Sequence, residues 1–180
     1  MKNLLCTTVL CFPLLAWSQN SASLNVAISV PESALLRIVD ASASPLMSIP
    51  MTLTVPGIAG QPMATPITQT AYLQITSVKG SAPDNFRYLS LETVPALPPG
   101  LTLTVDPVIP VGVPGLGSGS IAVLSSSVTD AQIVSNMESA YTGTSAGSGI
   151  QVHHTLGFQH HNLASTQSGT ITLRYTLSNF

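Results

Sequence analysis

Four histidines, His153, His154, His160 and His161, account for all the imidazoles of the chain and fall within nine positions. Imidazole titrates near neutral pH and is a common ligand of zinc and copper, so such a cluster invites a metal site. Adjacent residues of a strand point to opposite faces, however, so His153 and His154 cannot ligate one ion from a regular strand. No cysteine or neighbouring carboxylate in the sequence completes a set. With Val152, Leu156 and Phe158 inward, His154 also goes inward and His153 outward. A turn at Leu156-Gly157 would instead build a hairpin in which His153 and His160 oppose each other as a two-ligand surface site. The other reading is one packed histidine and several exposed ones beside a loop.

Gly143-Thr144-Ser145-Ala146-Gly147 fits G-x-S-x-G, the nucleophile elbow of serine hydrolases. That motif needs a strand-to-helix turn, an oxyanion hole and a His/Asp pair, for which only a histidine of the cluster and Asp130 are at hand. A loop rich in Gly, Ser, Thr and Ala matches five such positions easily. The seven carboxylates, Glu32, Asp40, Asp84, Glu92, Asp106, Asp130 and Glu138, form no local glycosidase pair and no calcium loop. Gly115-Leu116-Gly117-Ser118-Gly119 is followed by no lysine and opens no helix, so it is not a phosphate loop. The expectation is a non-enzymatic protein with no cofactor. Tyr72, Phe86, Tyr88, Tyr141, Phe158 and Tyr175 are spread over several segments and suit a core or a sugar-stacking platform alike.

The elements that carry these residues are short and alternating. Thr170 to Leu177 places Ile171, Leu173, Tyr175 and Leu177 on one side and Thr170, Thr172, Arg174 and Thr176 on the other, a strand with one buried face. Ser23 to Val30 repeats the pattern with Leu24, Val26, Ile28 and Val30, and Pro31 ends or kinks it. Further strands are expected at Leu35 to Val39, Met51 to Val55, Ala71 to Val78, Phe86 to Leu91, Leu101 to Val105, Ile121 to Leu124 and Ile150 to Phe158, separated by Pro/Gly turns. Thr129 to Glu138 reads either as a short helix capped by Thr129 or Asp130 or as a strand centred on Ile133 and Val134. The fold expected is all-β, an antiparallel Ig-like or pilin-like sandwich of roughly 7–10 short strands.

Charged residues make up 7% of the 180 and the net charge is −2 with no Lys/Arg cluster, which removes the footprint of a nucleic-acid binder. Hydrophobic residues reach 44%, yet no apolar run after the first segment approaches the roughly 20 residues of a membrane helix. Residues 1–18 read as a secretory signal, with Lys2, an apolar stretch from Leu4 to Leu15, and Ala16-Trp17-Ser18 before Gln19. Residues 19–180 then form one domain in the periplasm or on the outer cell surface. Cys6, Cys11 and Trp17 all fall in the signal, so the expected mature chain has no disulfide.

The C-terminal third, from Ile121 through Ala131-Gln132-Ile133-Val134, Tyr141-Thr142-Gly143-Thr144 and Gly147-Ser148-Gly149 to the closing strand, resembles a group of small uncharacterised secreted bacterial β-proteins, as does Val26 to Leu36. The layout is more distantly similar to fimbrial subunits, with an alternating strand at each terminus. That resemblance implies a structural or adhesive protein, a surface-filament subunit that adds a strand to itself or to other surface subunits. The interface would comprise Leu24, Val26, Ile28, Val30, Ile171, Leu173, Tyr175 and Leu177. Leu24 to Val30 can equally pair within its own molecule, and an extracellular glycan- or metal-binding module is the alternative function.

Overall fold

The structure is a computed structural model that describes residues 26–53, 58, 66–80, 85–158 and 169–179. The chain divides into two compact units, Met1–Val30 and Pro31–Phe180. Within the first, the expected signal and Leu24 lie outside the described residues, while Val26, Ile28 and Val30 are 69%, 84% and 73% exposed and belong to no strand.

The second unit is all-β, with ten strands and no helix among the described residues. They are β1 (Ser33–Val39), β2 (Ile67–Val78), β3 (Arg87–Val94), β4 (Leu101–Val108), β5 (Ser118–Gly119), β6 (Ala122–Leu124), β7 (Asp130–Met137), β8 (Ala140–Tyr141), β9 (Ile150–Phe158) and β10 (Thr172–Asn179). A larger antiparallel sheet runs β1-β2-β9-β4-β6, with β8 pairing β2 as well, and a smaller one runs β10-β3-β7-β5. The expected strand beginning at Met51 is not formed over residues 51–53, and Thr54 and Val55 lie outside the described residues.

Each strand buries alternate residues because a pleated chain turns successive side chains to opposite faces. On β3 this buries Leu89, Leu91 and Thr93, on β4 Leu103 and Val105, and on β9 Ile150, Val152 and His154. The buried residues of both sheets merge into one core. Full burial of a Leu or Ile side chain contributes about 1.5–3 kcal/mol each, so this shared core is the main source of stability in a chain without a disulfide in this unit.

Within residues 129–138, Asp130–Met137 form strand β7 and no helix. The helix-like spacing of Ile133, Val134 and Met137 comes from bulges: Arg87 opposes Met137, Leu89 opposes Val134 and Ser90 opposes Gln132, so β7 spends more residues than β3 over the same length. Asn136, with φ of 55°, takes up part of the irregularity. All three apolar residues thereby reach the core.

Along one side, the chain itself closes the gap between the sheets. It crosses from β4 to β5 and returns to β6 before entering β7, and Leu116 of the first crossing is buried in the core. Gly117 lies against the β7 backbone with φ of +74°, and a Cβ there would meet the Ser135 carbonyl oxygen at 2.0 Å. Only glycine permits this approach.

Candidate functional site

On the opposite side the two sheets end in β1 and β10. β10 pairs along its whole length with β3, from Thr172 opposite Val94 to Asn179 opposite Arg87. The described neighbour of β10 is therefore β3. The other edge of β10 is hydrogen-bonded to no strand among the described residues, which leaves main-chain donors and acceptors over these eight residues without a described ladder partner. The free edge of β1 is shorter, because Asp40 turns the chain back on itself. The Asp40 carboxylate accepts from the N–H groups of Ser42 (2.8 Å) and Ser44 (2.9 Å) and from the Ser42 hydroxyl (2.6 Å), and the Leu46 N–H donates to the Ile38 carbonyl. These bonds hold the Asp40 carboxyl below its ordinary range, the Ser42 hydroxyl contributing most.

The seam between β1 and β10 is apolar. Leu36 and Ile38 from β1, and Ile171, Leu173, Tyr175 and Leu177 at β10, all pack on the core yet remain half-buried, whereas Leu89 and Leu91 on β3, next to Leu177 and Tyr175, are fully buried. Four of the eight residues expected from the sequence to line an interface thus occupy one row beside an edge that no described strand pairs.

Two polar devices mark this seam. At its end, the buried Arg87 guanidinium donates to Glu32 Oε1 at 2.5 Å, to the Val78 carbonyl at 3.2 Å and to Asn179 Oδ1, while Asn179 Nδ2 donates to Glu32 Oε1 at 3.0 Å. This ties Glu32, the residue just before β1, to Asn179, the last of β10. In its floor, His154 Nε2 and the Tyr175 hydroxyl are hydrogen-bonded, with the rings edge to face at 88°. His154 is 1% exposed, and burial pushes its pKa down to about 4, with the adjacent main chain of Gln69 offsetting part of that effect. Burial likewise raises the pKa of Tyr175. Both groups are neutral at physiological pH.

The outer face of the larger sheet carries His153, half-buried, whose Nδ1 lies 3.0 Å from Thr70 Oγ1. His153 is flanked in register by Thr70 on β2 and by Asp106 on β4. Sequence proximity alone missed this carboxylate, because β4 reaches β9 only through the sheet. The turn at Leu156-Gly157 that would set His153 against His160 is not formed: β9 continues to Phe158, with Leu156 paired to Ile67 on one side and Leu103 on the other. His160 and His161 lie outside the described residues.

Ser145 sits in the loop between β8 and β9, where the Ser148 N–H donates to its carbonyl at 3.0 Å. The loop leaves and rejoins the β2 edge, pinned by Thr142, whose hydroxyl accepts from the Ile75 N–H at 2.9 Å. No helix follows Ser145, so the elbow geometry is not built there. Asp130 begins β7 in the other sheet. Of the aromatic residues, Tyr141 is exposed on β8 and Tyr175 lies in the seam. No helix among the described residues is long and apolar enough to cross a membrane. Comparison with protein-family models, curated proteins and solved structures finds no match to this chain.

Proposed function

We propose that this chain is a non-enzymatic structural or adhesive protein of the bacterial periplasm or outer surface, and that it acts as a surface-filament subunit joined to its neighbours by strand addition. The observation that carries this reading is the β10 edge, unpaired among the described residues, beside a half-buried apolar row. An incoming strand would gain main-chain hydrogen bonds from the edge and side-chain contacts from the row. Leu24 to Val30 has the matching alternation, and its described members Val26, Ile28 and Val30 are exposed. An edge of eight residues can pair the whole of that seven-residue segment. Contributed by another molecule, it makes a heterologous contact that repeats into a filament, in a pilin-like arrangement. The signal-like residues 1–18 support export.

The test is the solution size of the purified protein with and without Ser23–Val30. The reading expects multimers from the full protein, a folded monomer from the deletion, and capture of a synthetic peptide of residues 23–30 by that monomer. A full-length protein that stays monomeric, and that loses its own stability on deletion, would instead place the segment in its own molecule and overturn the filament reading.

A further inference from the structure

We infer that His153 and Asp106 form a site for one divalent transition-metal cation, Zn2+ or Cu2+, on the outer face of the larger sheet. The two residues oppose each other on the adjacent antiparallel strands β9 and β4. Such cross-strand partners share a face and hold their Cβ atoms about 4.5–5.5 Å apart, close enough for both side chains to reach one ion. The face is the solvent one, because the next residues along, His154 and Val105, are paired on the inner side and buried.

The third member of the row makes this histidine more than an isolated surface imidazole. Thr70 flanks it from β2, with Oγ1 3.0 Å from Nδ1. In the tautomer where Nδ1–H donates to Thr70, the lone pair is on Nε2, which becomes the ligating nitrogen. Ligating histidines are commonly anchored in this way through the opposite ring nitrogen. One imidazole nitrogen and one carboxylate oxygen suit zinc or copper, whereas calcium calls for six to eight oxygens. No group of three His, Cys, Asp or Glu side chains placed to hold an ion occurs among the described residues, so the described protein ligands of the proposed site are His153 and Asp106. It lies on the face of the larger sheet and uses no residue of the β10 row, so it stands independently of the filament reading.

The experiment titrates Cu2+ into the purified full chain carrying Cys6→Ser, Cys11→Ser, His160→Ala and His161→Ala, so that neither thiol and neither of these two imidazoles can supply a ligand. The expected result is one bound ion, with paramagnetic broadening centred on the His153 ring and on the amides around Thr70 and Asp106. His153→Ala and Asp106→Asn are each expected to weaken binding about tenfold or more, and Thr70→Val to weaken it less. His153→Gln, which keeps a polar side chain of similar bulk, checks that the loss does not come from unfolding. Unchanged affinity in Asp106→Asn, broadening centred elsewhere, or no binding up to about 1 mM Cu2+ overturns the site.

Discussion

His154 and Tyr175 meet across the core: the imidazole Nε2 from the central strand β9 is hydrogen-bonded to the hydroxyl from the edge strand β10, so one polar contact joins the larger sheet to the smaller. His154 is buried there, which makes the contact sensitive to charge.

That sensitivity has a defined pH window. Above about 6.5 the histidine is neutral in both the folded and unfolded chain and contributes no pH dependence. Between 6.5 and about 4 the unfolded chain binds a proton that the buried imidazole refuses, so stability falls as pH falls, and the loss levels off below about 4. The total is roughly 3 kcal/mol. Urea unfolding from pH 7.5 to 4 is expected to show this slope, and His154→Leu to flatten it. A slope unchanged in that variant would assign the acid sensitivity to other groups.

Tyr175→Phe removes the hydroxyl and leaves a buried imidazole nitrogen without its partner. His154 Nδ1 already has no hydrogen bond of good geometry. The single substitution is expected to cost about 1–3 kcal/mol, whereas Tyr175→Phe in a His154→Leu background costs less, because no polar group is then stranded. A double-mutant cycle on chemical denaturation reads the difference, and additivity of the two changes would show that the pair is uncoupled.

At the end of the seam, Glu32 neutralises a guanidinium that is only 4% exposed. Breaking a wholly buried ion pair costs roughly 3–5 kcal/mol. Glu32 is itself partly exposed, and Asn179 and Val78 still accept from Arg87, so Glu32→Ala is expected to cost about 2 kcal/mol. Amide hydrogen exchange in this variant should accelerate first at the start of β1 and the end of β10. Uniform acceleration over the whole sheet would contradict a local clasp.

Two glycines with nearly the same φ separate backbone strain from steric exclusion. A methyl group added at Gly112, where φ is +85°, would have nothing within 4 Å, so Gly112→Ala meets only the left-handed backbone penalty of about 1 kcal/mol. Gly117, at +74°, would drive its methyl into the Ser135 carbonyl, and Gly117→Ala is expected to destabilise by about 3 kcal/mol or more. Thermal unfolding of the two variants checks the contrast, and equal shifts would refute the close approach.

Much of the architecture is legible in the alternation of apolar residues. Leu101 to Val105 and Ile150 to Phe158 have their inward residues set by period two alone, and His154 is correctly turned inward by the same rule. Residues 129–138 resist that rule, because two extra residues in β7 shift the period and imitate a helix. The short strands β5 and β8 are set by their partners and carry little pattern of their own. The pairing of β10 with β3 and the placing of Asp106 beside His153 depend on contacts between distant segments, which local periodicity does not encode. The same holds for Arg87, whose burial follows from Glu32 and Asn179 meeting at one end of the unit.

That meeting sets how the second unit carries load. Glu32, just before β1, and Asn179, at the end of β10, are joined at 3.0 Å. Tension applied between those two points would peel β1 from β2 and β10 from β3 one hydrogen bond at a time, with Arg87 the first lock to give. A strand laid along β10 and pulled along its own axis would load its ladder all at once in shear. On the strand addition proposed above, the strong direction would lie along the added strand, and the weak one between Glu32 and Asn179.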